Sequence, residues 1–173
     1  MKRLLFVSFG ISFLLIALVG LFLGAGMYSE PKFEGSLTEW LKAEDEDIWA
    51  YLTDVKDLPN RRSEVQSIEI IDTFSDGSPK KWREIPNLGG YMIFEVQERI
   101  KPKIWKISLI NSNFKFRGTW TYTLEKKAPG TSFTIKEESE IQSLLVRGAT
   151  FLSGRDANLQ KEMGFIRNRF SGR

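Results

Sequence analysis

A chain of 173 residues, 42% hydrophobic and 13% aromatic, suffices for one domain with a sizeable core plus an appendage, and is too apolar to stay disordered. It holds no cysteine and no histidine, which excludes disulfides, thiol nucleophiles, zinc–thiolate sites and Ser-His-Asp or Cys-His catalysis, so no metal or cofactor is expected. The formal charge of +3 is no signal for nucleic acid, because Lys2 and Arg3 supply two of the three charges ahead of the domain.

From Leu4 to Ser29 no residue is charged, and fifteen of the residues from Leu4 to Leu23 are Leu, Ile, Val or Phe. As a helix that run is about 30 Å long, the thickness of bilayer hydrocarbon. At roughly −0.4 kcal/mol per residue those side chains favour insertion by about 6 kcal/mol. Residues 1–29 are therefore expected to be a transmembrane signal anchor, with residues 4–24 in the membrane. A cleaved signal peptide is the rival, since Gly24 and Gly26 form a small-x-small pattern, but its apolar region is usually about 7–15 residues. Lys2 and Arg3 precede the helix, and Glu30, Lys32 and Glu34 follow it without positive excess. A cytoplasmic N-terminus and an extracytoplasmic domain are expected on that asymmetry. Gly20 and Gly24 make a GxxxG pair, with Ser8 and Ser12 near the same face, which allows a weak helix dimer.

Pro31 and Gly35 mark residues 30–35 as a linker, and the domain is expected over 36–173, beginning with a strand at Ser36–Ala43. Acidic residues crowd the start of Glu44–Leu52, which reads as a helix with Ile48, Trp49 and Leu52 on its apolar side. A short helix or loop holding Pro59 follows over Asp54–Glu64. Strands are expected at Val65–Phe74, Lys80–Ile85, Tyr91–Ile100 and Ile104–Asn111, separated by Asp76-Gly77, Gly89-Gly90 and Pro102. The basic and aromatic run Lys101–Lys106 reads as a solvated turn, and Gly89-Gly90 lacks any phosphate-loop context.

The clearest pattern lies between Phe114 and Ile141. Two alternating halves flank Pro129-Gly130, with Trp120, Tyr122 and Leu124 on one face of the first and Phe133, Ile135 and Ile141 on one face of the second, which predicts a long hairpin with one buried face. Leu145, Gly148, Leu152, Leu159, Met163, Ile166 and Phe170 then recur at three, four or seven residues, predicting one long helix over about Leu144–Phe170. A six- to seven-stranded antiparallel sheet with one apolar face needs such a helix to cover it, giving an α+β domain.

This order resembles the SRPBCC superfamily, the START-like or polyketide cyclase/dehydrase-like group, over residues 36–172. Ile48-Trp49-Ala50-Tyr51-Leu52-Thr53-Asp54 is similar to its opening helix, and Trp82-Arg83-Glu84 with Gly89-Gly90 to its third strand and following turn. Gly118-Thr119-Trp120-Thr121-Tyr122 and Thr134-Ile135-Lys136-Glu137-Glu138 resemble its last strand pair. Gln142-Ser143 replaces a usual Asn-Pro pair, and Arg155 after Gly154 replaces a frequent histidine. The resemblance implies a helix-grip fold, in which a curved sheet wraps a long C-terminal helix around a cavity. No catalytic motif is common to the superfamily, so it implies no catalytic residue.

Glu137 shares the register of Phe133, Ile135 and Ile141, so it is expected inside, where burial raises a carboxyl pKa. Glu84 and Glu95 join it if their strands turn the same face inward, with Arg83 or Arg99 as partners. Trp82, Phe94, Trp105, Trp120, Tyr122 and Phe133 are expected to line the cavity, with Leu152 on the covering helix and Gly148 leaving space opposite the sheet. The expected function is a membrane-tethered binding module for a hydrophobic or amphipathic small molecule, a lipid included. The rivals are a cyclase/dehydratase-type enzyme using Glu137 or Glu84, and an envelope protein-interaction domain with no ligand.

Overall fold

Alternation of apolar and polar residues dominates Lys32–Ile141, and seven strands form there: β1 (Lys32–Leu41), β2 (Val65–Thr73), β3 (Pro79–Pro86), β4 (Met92–Ile100), β5 (Ile104–Ser112), β6 (Phe116–Lys127) and β7 (Gly130–Ile141). The structure is a computed structural model that describes residues 2–170, with side chains from Gly10 onward. The side chains of Lys2, Arg3 and Ser8, and residues 171–173, fall outside that description.

Strands β2 to β7 follow one another as an antiparallel meander, and β1 pairs with β7, giving the order β1-β7-β6-β5-β4-β3-β2. Register follows the hydrophobic pattern: Trp120 lies opposite Glu137, Tyr122 opposite Ile135 and Leu124 opposite Phe133. Trp120, Tyr122, Leu124, Phe133 and Ile135 are all buried, each apolar side chain contributing about 1.5–3 kcal/mol. Register shifts at Ile93/Phe94 and Val96/Glu98 against β5, and at Val65/Ser67 and Ile70/Asp72 against β3, bend the sheet. Its concave face then surrounds the helices.

Helix α1 (Lys2–Tyr28) precedes β1, while α2 (Asp45–Thr53), a 3-10 turn at Val55–Asp57 and α3 (Leu58–Arg61) connect β1 to β2. Ile48, Trp49 and Leu52 of α2 are buried, as the sequence predicts. After β7 come α4 (Leu144–Ser153) and α5 (Ala157–Phe170). Leu159, Met163 and Ile166 of α5 close the core over the sheet. The domain is an α+β helix-grip fold with one additional N-terminal apolar helix.

Two expectations are corrected. Residues 32–35 are strand rather than linker, because β1 pairs continuously with β7 from Lys32↔Glu140 to Leu41↔Thr131, and the backbone groups that face β7 gain partners there. The C-terminal helix is not single. Gly154 has φ 96°, the left-handed region that suits glycine, and it ends α4. The seven-residue spacing Leu145–Leu152–Leu159 runs through this break, but only its last member reaches the core; Leu145 and Leu152 are exposed.

Candidate functional site

A cavity of about 250 Å³ lies between the concave sheet face and the helices, lined by Trp82, Glu84, Phe94, Trp105, Trp120 and Tyr122 from the strands. Leu52, Leu58, Arg62, Asn158 and Glu162 line it from the helical side. Alternation puts every second residue of a strand inward, and the curvature of the sheet then draws rings from separate strands together. Trp82 stacks at 5.5 Å on Phe94, its cross-strand partner, and at 6.1 Å on Trp105 from two strands away. Trp105 meets Tyr122 at 5.4 Å, and Phe94 meets Trp120 at 6.0 Å. The result is a continuous aromatic wall.

Polar groups interrupt that wall at one end. Among the described residues the buried Trp82 indole Nε1 has no acceptor, and an unsatisfied buried donor costs about 1–3 kcal/mol. Two residues along, Glu84 is also buried. Burial pushes its carboxyl up to about 7, against the pull of the Arg62 guanidinium. Burial also raises Tyr122 well above its ordinary value, keeping its hydroxyl protonated. Arg62 forms a bidentate pair with Glu162, at 2.6 and 2.7 Å. Burial opposes the charge on Arg62, yet Glu162 holds it above its ordinary value.

Of the ten residues named from sequence, six meet at this cavity. Phe133 is wholly buried behind Tyr122, at 6.3 Å between rings, and does not reach the cavity wall. Glu137 points inward as expected, but into a separate small void with Ser29, Arg147, Arg155 and Asn158. Its Oε1 accepts from the Ser139 hydroxyl at 2.7 Å, and its Oε2 has no hydrogen-bond partner among the described residues. Burial raises this carboxyl too, against the pull of that hydroxyl. Leu152 and Gly148 are corrections. Leu152 lies on the exposed side of α4, and Gly148 lies against α1, where a Cβ would collide with the Phe22 carbonyl oxygen. Glu95 faces outward beside Lys81 at 3.9 Å, and Arg83 and Arg99 pair with Glu69 and Asp76 on the surface.

Arg62 and Glu162 went unseen in the sequence. Glu162 was traceable, since Leu159, Glu162, Met163 and Ile166 follow the i, i+3, i+4, i+7 pattern of one helix face. Arg62 follows a four-residue helix too short to show any period. A larger hollow of about 640 Å³, lined by Lys32, Glu34, Arg117 and Glu138 among others, is an open and charged part of the outer surface. Carboxylates of Glu44, Asp45 and Glu46 lie within 4.8 Å of one another, but Lys126 already pairs with Glu44 at 2.7 Å.

The curved antiparallel sheet closed by a C-terminal helix is a fold that this chain shares with solved structures, a START superfamily protein among them. Among solved structures, the chain is similar to a START superfamily protein from Mycobacterium smegmatis, at 16% identity and a TM-score of 0.65, over 80% of this chain and 97% of that one. It is also similar to a conserved protein from Geobacillus kaustophilus (18% identity, TM-score 0.64, 79% and 94% covered). A third likeness is to the Zhui aromatase/cyclase from a Streptomyces species, at 9% identity and a TM-score of 0.63, with 80% and 93% covered. At 9–18% identity these likenesses show a common fold and nothing beyond it. No protein-family model and no curated protein matches the chain.

Proposed function

We propose that this chain is a membrane-tethered binding module that holds a small hydrophobic or amphipathic molecule between the sheet and α5. The orphaned Trp82 N–H, buried at an aromatic wall beside Glu84, carries the reading. A flat apolar ligand with one hydrogen-bond acceptor would satisfy that donor. At about 250 Å³ the cavity falls just below the roughly 300–1,000 Å³ of drug-sized sites, so it suits a molecule of one or two rings or a single lipid chain. Helix α1 would tether the module: Gly10–Tyr28 is long and apolar enough to cross a membrane, although a signal sequence passes the same test. The domain then lies outside the cytoplasm, as the flanking charges argue. Gly20 and Gly24 have open space beside them, room for a second membrane helix.

The test is native mass spectrometry of the full chain extracted in mild detergent, followed by displacement of the bound molecule. Trp82→Phe keeps one aromatic ring but removes the N–H together with the five-membered ring that carries it, and is expected to weaken an acceptor-bearing ligand by about 1 kcal/mol, roughly fivefold. A chain that carries no small molecule and takes up none would favour the interaction-domain reading. An enzyme is the second reading, favoured by a cavity carboxyl that titrates near 7 and by a fold neighbour named as an aromatase/cyclase. Glu84 would then move protons as general acid and base, and Glu84→Gln would bind but not turn over.

A further inference from the structure

Helix α4 leaves the domain to pack on α1. Gly26 and Gly148 bring the two backbones together, the Arg147 Nε donates to the Gly26 carbonyl at 2.5 Å, and Phe151 meets Tyr28 edge-on at 5.8 Å. The contact falls at Phe22–Tyr28, where the apolar run of α1 ends. Around that contact α4 still exposes Leu144 and Phe151, which flank Gly148 on one side, and Leu145 and Leu152, which flank it on the other, with Val146 farther round the helix. Leu145 and Leu152, seven apart, form one stripe beside that of Leu144 and Phe151. Exposed apolar groups this dense mark a surface that is covered in use.

We infer that α4 is an interfacial helix whose exposed apolar stripe is seated in the outer edge of the same lipid bilayer that α1 crosses. The inference rests on the reading of α1 as a membrane span. Its occupant is argued by continuity: the exposed stripe adjoins Met27 and Tyr28, which are themselves exposed at the end of α1. A rigid crossing at Gly26 keeps α4 at the depth where hydrocarbon gives way to headgroups. An amphipathic helix in that position buries its apolar side about 5–10 Å into the boundary between headgroups and acyl chains. Pairing of the Gly26 carbonyl with Arg147 also suits this depth, where an unpaired carbonyl is costly. The domain would then be held against the membrane with one fixed orientation, its α4–α5 junction next to the lipid.

The absence of native cysteine makes the test direct. Leu14→Cys, Leu145→Cys, Leu152→Cys and Ser75→Cys variants of the full chain are labelled with an environment-sensitive dye and placed in phosphatidylcholine vesicles. Lipids bearing a nitroxide at a shallow or deep acyl position serve as quenchers. Leu145 and Leu152 are expected to give blue-shifted emission quenched most by the shallow nitroxide, Leu14 to be quenched most by the deep one, and Ser75 by neither. Emission at Leu145 and Leu152 matching Ser75, with Leu14 still quenched, would overturn the interfacial helix and leave the anchor standing. Blue-shifted but unquenched emission at both would mean that protein covers the stripe, which overturns it as well. An unquenched Leu14 would overturn the anchor and the inference together.

Discussion

Gly26 on α1 and Gly148 on α4 meet backbone to backbone: a Cβ on Gly148 would strike the Phe22 carbonyl oxygen, and one on Gly26 the Leu144 carbonyl oxygen. Neither glycine touches the aromatic cavity. Gly148→Leu is therefore expected to push α4 off α1 at a cost of about 1–3 kcal/mol, the usual penalty of overpacking. Hydrogen exchange should speed up across residues 144–153, while affinity for a cavity probe stays unchanged. Unchanged exchange across α4 would contradict the crossing.

Trp120 is 7% exposed and packs on Phe94 and Phe116 at 6.0 and 5.9 Å. Its replacement by Ala should destabilise the domain by about 3–5 kcal/mol, as truncation of a buried aromatic does. Denaturant unfolding measures this directly, and a loss below about 1 kcal/mol would be a surface-like result that the structure forbids.

Stability should fall with rising pH across the range in which Glu84 titrates. In the folded chain Glu84 keeps its proton up to about 7, whereas unfolded it releases it near 4.5. The unfolded state thus binds fewer protons between those values, so the free energy of unfolding falls as pH rises. The stabilisation is fully present below 4.5 and is gone above about 7; the whole change is at most about 3 kcal/mol. Glu84→Gln should lack this component, and the difference between wild type and variant isolates it from Glu137, which burial shifts the same way. Equal pH slopes for the two proteins would refute the assignment.

Arg62 pulls the Glu84 carboxyl down and Glu162 pushes it up. Arg62→Met should accordingly raise the Glu84 midpoint further, and Glu162→Gln should lower it, both read by carboxyl NMR. Each variant also breaks the bidentate pair, costing about 2 kcal/mol as a charged hydrogen bond does. Shifts of the same sign would show that the two side chains act on Glu84 through folding rather than through charge.

A protease-sensitive tag after Arg173 should be cut in spheroplasts, and the chain should resist extraction at high salt and high pH. The long uncharged run behind Lys2 and Arg3 motivates both outcomes. A protected tag would reverse the orientation, and release by alkaline wash would remove the anchor.

Period-two alternation by itself determined the buried faces of β6 and β7 and the inward aim of Glu137, because a strand's side chains alternate whatever lies beyond it. The same spacing pointed to five cavity aromatics, from Trp82 to Tyr122, and left Glu84 dependent on which face of its strand turned inward. Their meeting was not legible. Trp82 and Trp105 stack across an intervening strand because bulges curve the sheet, and bulges leave no mark in an alternation count. Nor does local pattern say which partner a helix face will meet. The stripe from Leu145 to Phe170 reads as one surface, yet the left-handed turn at Gly154 sends α4 to α1 and α5 to the sheet. Gly148 looked like space for a ligand and serves instead as space for another backbone. Arg62 and Glu162 belong to the same class, since the cost of burying each charge is offset only by a partner 100 residues away. Sequence periodicity reports which faces are apolar; which of them touch is set by chain curvature and long-range packing, and the cavity exists only there.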